Sequence, residues 1–430
     1  MMFINKSDAN FKENFDELLG RGKMDIEQVS TIVGNIINEI KVDKNVALKQ
    51  HIAKFDNWTP ESDDDLVIST DSMSKAYDNL DAKLKSALHL AYDRIKVYHE
   101  KQKPKSWFDD EANGTILGQR VTPVDSAGLY IPGGKAAYPS SLLMNVIPAQ
   151  VAGVQNIVVT TPTPDNEPNE LLLAACHLCG VTQVYKVGGA SAIAAMAYGT
   201  ENIPKVDVIT GPGNIFVATA KKMVFGDVNI DMIAGPSEIG VLADESAKAN
   251  HLAIDLLSQA EHDEMASSIL ITPSQKLADE VKIEIENWLV KLPRQEIARK
   301  SIEERGAIIV TDTMEEAIEL MNDIAPEHLE VATNSPFELL PLIKHAGAIF
   351  MGHYTPEAIG DYVAGPNHTL PTGGTAKFYS PLGVENFMKK TSIIAFSKKA
   401  INEIGEECAL IAKTEGLTAH EQSVRVRLTK

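Results

Sequence analysis

The chain has 430 residues, 44% hydrophobic and 23% charged, with a net charge of −19. That length allows two or more domains with sizeable cores. The acidic balance argues against nucleic acid or an anionic membrane as partner, since both select concentrated Lys and Arg. In chain order, Met1 to Leu19 is polar and charged, with no apolar signal core, and no later apolar run is long enough to span a membrane. The cytoplasm is the expected location. Up to about Lys103 the spacing predicts helices over Phe11–Leu19, Ile26–Ile40, Val46–Phe55 and Leu84–His99. From Gly114 to Ile131 short strands are expected.

Gly128-Leu-Tyr-Ile-Pro-Gly-Gly follows. It has the glycine separation of a phosphate-cradling loop, but Gly134 stands where the lysine should be, so a P-loop is rejected. From Asn156 strands and helices alternate: Ile157–Thr160, Glu170–Cys179, Val184–Val187, Ala190–Tyr198, Val206–Ile209, Ile215–Val224, then Ile230–Ile233 and Ile239–Leu242 as strands. Such alternation predicts parallel sheets with crossover helices. Gly188-Gly189 and Gly211-Pro212-Gly213-Asn214 close two of the strands, where ligands of such sheets gather. The Gly-x-Gly-x-x-Gly fingerprint is absent. Cys176 and Cys179 match Cys-x-x-Cys at a helix end, but no second pair follows, and Cys408 makes the count odd. Small buried residues in a reducing compartment are expected there.

Asn250 to Thr272 is the pivot of the chain. Leu252, Ala253, Leu256, Leu257 and Ala260 form a helical apolar stripe, with Gln259 and His262 together beside it. The pair could supply two metal ligands; taken alone, it reads more readily as solvated polar residues on an amphipathic helix. A second alternating block follows: helix Leu277–Leu292, strand Ala307–Thr311, helix Met314–Ile324, strand Leu329–Val331, helix Phe337–His345 and strand Ala348–Met351. Pro326 stops a helix and leaves Glu327-His328 before a strand. Gly352 to Gly374 is expected to be a long functional loop carrying Asp361 and His368. Val384–Met388 and Ile401–Arg425 read as a helical tail too small for its own core, with Glu415 and His420 within it.

Seven stretches together resemble histidinol dehydrogenase, in that family's order: 128–134, Gly-Pro-Gly-Asn at 211–214, Ala-Gly-Pro-Ser-Glu at 234–238, Gln-Ala-Glu-His-Asp at 259–263, Ala-Pro-Glu-His-Leu at 325–329, Gly-Asp-Tyr-Val-Ala-Gly-Pro-Asn-His at 360–368 and Glu-Gly-Leu-Thr-Ala-His at 415–420. The resemblance implies an α/β fold of two incomplete Rossmann-like parallel-sheet domains with small helical N- and C-terminal domains. Its implied divisions are a helical arm at 1–22, a first domain at 23–128 and 239–380 with zinc and acid–base residues, an NAD-binding domain at 129–238, and a helical C-terminal domain at 381–430. It implies zinc on Gln259, His262, Asp361 and His420, and acid–base catalysis by Glu327 and His328. Implied substrate contacts are Ser237, Gln259, His262, His328, Asp361, Glu415 and His420, with His368 in support. Implied NAD contacts are Tyr130, Ser191 and Asn214; serine stands at 191 where the family usually has glutamine, so a water is expected to fill the gap.

The activity implied is a four-electron oxidation of L-histidinol through the aldehyde to L-histidine with two NAD, in histidine biosynthesis. A homodimer is implied, the tail of one subunit completing the other's site. Two other readings stay open: oxidation of another small alcohol, such as a sulfonated diol, which Glu415 would repel, and a zinc hydrolase without NAD.

Overall fold

The computed structural model describes residues 1–20, 27–133 and 138–429. Among the described residues, two six-stranded sheets and one three-stranded sheet organise the fold. The first sheet is wholly parallel, in the order Met2–Asn5, Ala307–Val310, Ser267–Thr272, Glu238–Ala243, His328–Ala332, Ala348–Met351. Its central strands are buried along their whole length, as strands covered on both faces must be, and so read as continuous apolar runs. The second sheet runs Val67–Ile68, Gln183–Lys186, Asn156–Thr161, Ser126–Tyr130, Val208–Thr210, Asn229–Ile230, parallel except for its first strand. Its order reverses between Ser126–Tyr130 and Val208–Thr210, which opens a crevice at their carboxyl ends. The mixed α/β architecture with two Rossmann-like sheets is therefore as expected.

Three features of the described residues bear on the expected divisions. Residues 1–22 are not simply a helical arm: Met2–Asn5 is an edge strand of the first sheet, and Phe15 and Leu18 of the following helix enter that sheet's core. A strand of four residues is too short to show a period. The helices within 23–128 pack mainly on the second sheet's helices, although Arg94 also donates to the Val363 and Ala364 carbonyls. Val33, Ile37, Ile40 and Leu48 of Glu27–Phe55 pack on Ala192–Ala197 and Val217, while Leu88 and Ile95 of Ala82–Glu100 share a core with Leu142 and Val146. They cover the second sheet, because its helices alone leave apolar faces that need a partner. The tail 381–430 is not all helical: Met388–Ala395 pairs antiparallel with Ile116–Pro123. Its Lys389-Lys390-Thr391-Ser392 run is exposed on both faces, so no apolar alternation announces a strand.

Two local readings also change. Phe337–His345 is helical only over Pro336–Leu339 and a 3₁₀ turn at Leu340–Leu342. The expected loop after Met351 contains a helical turn, Glu357–Ile359, continuing into a π-helical turn, Gly360–Ala364.

Candidate active site

The pair Glu327-His328 is fixed by how the preceding helix ends. Met314–Ile324 closes on Ala325 in the left-handed region (φ 51°), and Pro326 prevents continuation. His328 then opens a strand, aligned with Ile239 of the neighbouring strand. The site thus lies at the amino ends of strands in the first sheet. The Glu327 carboxylate accepts the Glu238 backbone N–H at 2.9 Å. His328 Nδ1 lies 3.1 Å from the Glu238 carbonyl and donates to it, because a carbonyl can only accept. In the neutral ring that bond places the proton on Nδ1 and leaves the Nε2 lone pair available. Nε2 is buried without a hydrogen-bond partner and lies 3.6 Å from an Asp361 oxygen.

Carboxyl groups crowd this imidazole. Glu357 and Glu327 approach Nδ1 to 3.7 and 3.8 Å. Burial disfavours the His328 cation, but Glu357, Glu327 and Asp361 outweigh it and hold its pKa well above the ordinary value. Burial pushes the Glu327 carboxyl up to about 7, with His328 opposing. Glu238 rises to about 8 by burial and by the Glu327 charge, and Glu357 to about 8, chiefly by burial. The values of the three glutamates suit proton transfer near neutrality.

The helix Ala249–Ala260 delivers Gln259, fully buried, and His262 follows it one turn on. Ligand atoms of His262, Glu357 and Asp361 all fall within 4.8 Å of one another. With its amide nitrogen turned to Glu357, Gln259 donates to that carboxylate at 2.9 and 3.3 Å. One imidazole, two carboxylates and an adjacent orphan His328 nitrogen are a donor set that fits a divalent cation. His368 Nδ1 bonds the Asp361 carbonyl at 3.0 Å, and His368 Nε2 lies 3.4 Å from Ser141 Oγ, so this loop ties the site to the second sheet's helices. Its Gly373 N–H holds the Glu238 carboxylate at 3.0 Å. Ser237 stands just before the Glu238–Ala243 strand, beside the acid–base pair. His328, Asp361 and His368 border a cavity of about 1020 Å³.

Glu415 and His420 are not in this cluster. Both are exposed on the tail, Glu415 at the end of Lys398–Thr414 and His420 on Thr418–Arg425.

The dinucleotide candidates gather at the carboxyl ends of the second sheet. Tyr130 ends its central strand, and its hydroxyl accepts the Gly189 N–H at 3.3 Å. Burial raises its phenol to about 12, so it stays protonated. Ser191 is the third residue of the Gly189–Tyr198 helix, whose N-terminus has no side-chain cap and so can receive an anion. Asn214 is exposed and caps Ile215–Val224 through the Phe216 and Val217 N–H groups at 3.1 and 3.2 Å. A side chain at Gly211 (φ 118°) would strike the Tyr130 carbonyl, so glycine is required for this close turn. The uncapped helix, the glycine turns and Tyr130 fit a dinucleotide at the strand-order reversal.

Two residues escaped the reading of the sequence. Glu357 lies four before Asp361, but the helical spacing that puts both on one face was hidden in a Gly- and Pro-rich stretch. Glu238 opens a strand and carries no motif beyond the Ala-Gly-Pro-Ser-Glu run itself.

The histidinol dehydrogenase family model matches residues 19–428. A histidinol dehydrogenase of Sulfurimonas denitrificans is 83% identical over 430 residues, covering 100% of both chains. One of Wolinella succinogenes is 66% identical, covering 99% of this chain and 98% of the relative. The crystal structure of histidinol dehydrogenase from Elizabethkingia anophelis superposes with a TM-score of 0.93 at 36% identity, covering 99% of this chain and 98% of that one. An acetylating aldehyde dehydrogenase of Geobacillus thermoglucosidasius, at 14% identity and TM-score 0.51 over 91% of this chain and 98% of that one, shares the fold alone. Matched from end to end in sequence and in architecture, the chain belongs to the histidinol dehydrogenase family.

Proposed function

We propose that this enzyme oxidises L-histidinol through L-histidinaldehyde to L-histidine, in histidine biosynthesis, with two NAD in succession and zinc in the site. The observation that carries the mechanism is the unpartnered His328 Nε2, 3.6 Å from Asp361 and beside a Glu327 carboxyl raised to about 7. NAD would supply the hydride acceptor in each oxidation, and zinc would supply positive charge that orients the substrate. Gln259, His262 and Asp361 would hold the metal, with His420 of the partner subunit. Glu357 is close enough to share it or to steady Gln259.

His328 Nε2, freed where the positive charge of a bound metal opposes the carboxylates that favour the His328 cation, takes the alcohol proton as hydride leaves the carbon. Nδ1 keeps the ring oriented through the Glu238 carbonyl. The aldehyde must add water before a second hydride can leave, because an acid forms from a gem-diol. Glu327, held by the Glu238 N–H, removes the proton of that water. His328 then takes the diol proton in the second oxidation. Ser237, Gln259, His262, His328 and Asp361 contact the substrate from one subunit, Glu415 and His420 from the other. His368 supports Asp361. Tyr130, Ser191 and Asn214 bind NAD, Ser191 directly or through water.

The exposed positions of Glu415 and His420 support a homodimer with shared sites. The tail also leaves Ile394, Ile404, Leu410 and Ile411 exposed, as an interface would require. No helix among the described residues is long and apolar enough to cross a membrane, and the charge of −19 disfavours nucleic acid. We place the enzyme in the cytoplasm. The direct test is NADH formation with histidinol and with other small alcohols, with and without a chelator. Two NADH per histidinol, abolished by chelation, supports the reading. NADH only from another alcohol, or none from any, refutes it.

A further inference from the structure

The seam between the Glu27–Phe55 and Gly189–Tyr198 helices is largely apolar, with Ile37, Ile40, Leu48 and Ile52 against alanines 192, 194, 195 and 197. A chain of polar side chains interrupts it. His51 Nδ1 lies 2.9 Å from Ser191 Oγ, and His51 Nε2 lies 2.7 Å from a Glu39 oxygen. His51 is 7% exposed and Ser191 4%, whereas Glu39 reaches solvent. Glu39 and His51 are 12 residues apart. A continuous helix would set them about 18 Å apart along its axis. The break at Lys44 (φ 47°, ψ −121°) turns the second half of the helix back so that they meet. Burying two polar groups in such a seam costs free energy unless they bond each other, and alanine fills the neighbouring turns. The arrangement commits a backbone break and two partners to one hydroxyl.

The bonds fix that hydroxyl's direction. In the neutral ring Glu39 accepts the Nε2 proton, so Nδ1 is an acceptor and Ser191 Oγ–H donates to it. The Ser191 lone pairs then point away from His51. Ser191 lies two residues beyond Gly189, whose N–H meets the Tyr130 hydroxyl. Anchoring Ser191 therefore also anchors the uncapped first turn of its helix.

We propose that His51, held by Glu39, is a positioning residue for the dinucleotide: through Ser191 it fixes the first turn of the Gly189–Tyr198 helix and presents a hydroxyl that accepts a hydrogen bond from the cofactor or its bridging water. This rests on the reading of Tyr130, Ser191 and Asn214 as the NAD site. It assigns no proton transfer to His51.

NADH fluorescence titration of the dimeric enzyme tests it. His51→Leu and Ser191→Ala should each weaken NADH binding about 3- to 10-fold, the worth of one hydrogen bond. The double variant should be no weaker than either single one, since both break the same link. His51→Asn, which keeps a partner near the Nδ1 position, should restore most of the affinity, and zinc uptake should be unchanged throughout. Unaltered NADH binding in Ser191→Ala and His51→Leu, additive losses, no rescue by His51→Asn, or parallel loss of zinc would each overturn the proposal. Should His51→Leu fail to fold, Glu39→Ala at the exposed end replaces it; about a 2-fold weakening is expected and none would contradict. Asn214→Ala and Tyr130→Phe separate the two readings. If they weaken NADH while His51→Leu and Ser191→Ala do not, only the positioning role falls. If none of the four does, the assigned NAD site itself falls.

Discussion

Lys221→Met should damage the enzyme from beneath the Gly211–Asn214 turn. The Lys221 ammonium is 2% exposed and pairs with Asp231, whose side chain is fully buried. Lys221 also donates to the Gly211 carbonyl at 3.0 Å, and Asp231 accepts the Gly211 N–H at 2.9 Å. The pair thus clamps both backbone groups of Gly211, and with them two successive peptide units of the proposed NAD turn. Removing the cation strands a buried carboxylate, which typically costs 3–5 kcal/mol. Asp231 keeps its N–H bonds from Gly211 and Met232, so about 3 kcal/mol is expected here. Adding Asp231→Asn removes the stranded charge and should recover about half of the loss. Chemical denaturation of the four members of this cycle measures the coupling, and NADH titration should show weaker binding wherever the clamp is broken. A cost below about 0.5 kcal/mol for Lys221→Met, or additive losses in the double variant, would refute the clamp.

Other expectations concern the acid–base cluster. His328→Asn should slow both oxidations by about 100-fold or more, as loss of a general base does; single-turnover NADH formation from histidinol and from histidinaldehyde reads each step. Glu327→Gln should slow the aldehyde step more than the alcohol step, and full activity would remove Glu327 from water activation. The aldehyde step of the native enzyme should fall as pH drops through about 7, because Glu327 must be ionised to accept a proton; a flat profile would contradict this. Glu238, raised from 4.5 to about 8, binds its proton more tightly folded than unfolded. Its stabilisation is full below the unfolded pKa and is lost as pH rises through about 8. Glu238→Gln should therefore gain stability relative to the native chain between about pH 5 and about pH 8.5, by thermal melting; an unchanged difference would show that Glu238 does not titrate there.

The sequence makes the parallel strands and the acid–base pair legible for physical reasons. Strands buried on both faces read as apolar runs, and Pro326 marks the loop that carries Glu327 and His328. The glycine turns at 188–189 and 211–213 likewise announce close backbone approach. What stays hidden depends on tertiary partners. Met2–Asn5 is a strand only because Ala307–Val310 offers an edge. Met388–Ala395 carries the polar run Lys389–Ser392 and is held by its pairing with Ile116–Pro123. The N-terminal helices show their apolar stripes but not which sheet those stripes cover. Glu357 is masked by glycine and proline, and the Glu39–His51–Ser191 chain depends on a helix break that no proline or glycine predicts. Within one chain Gln259, His262 and Asp361 come near one another, whereas His420 does not join them, so the proposed ligand set is the part of the reading that calls for a second subunit.

Subunit mixing tests that dependence most directly. His328→Asn and His420→Ala homodimers should each be almost inactive. Unfolded together and refolded, they form mixed dimers in which one site joins the intact His328 of one subunit to the intact His420 of the other. Random assortment then predicts recovery of about a quarter of native histidinol oxidation. Mixed dimers with no recovered activity would contradict a site built from two chains.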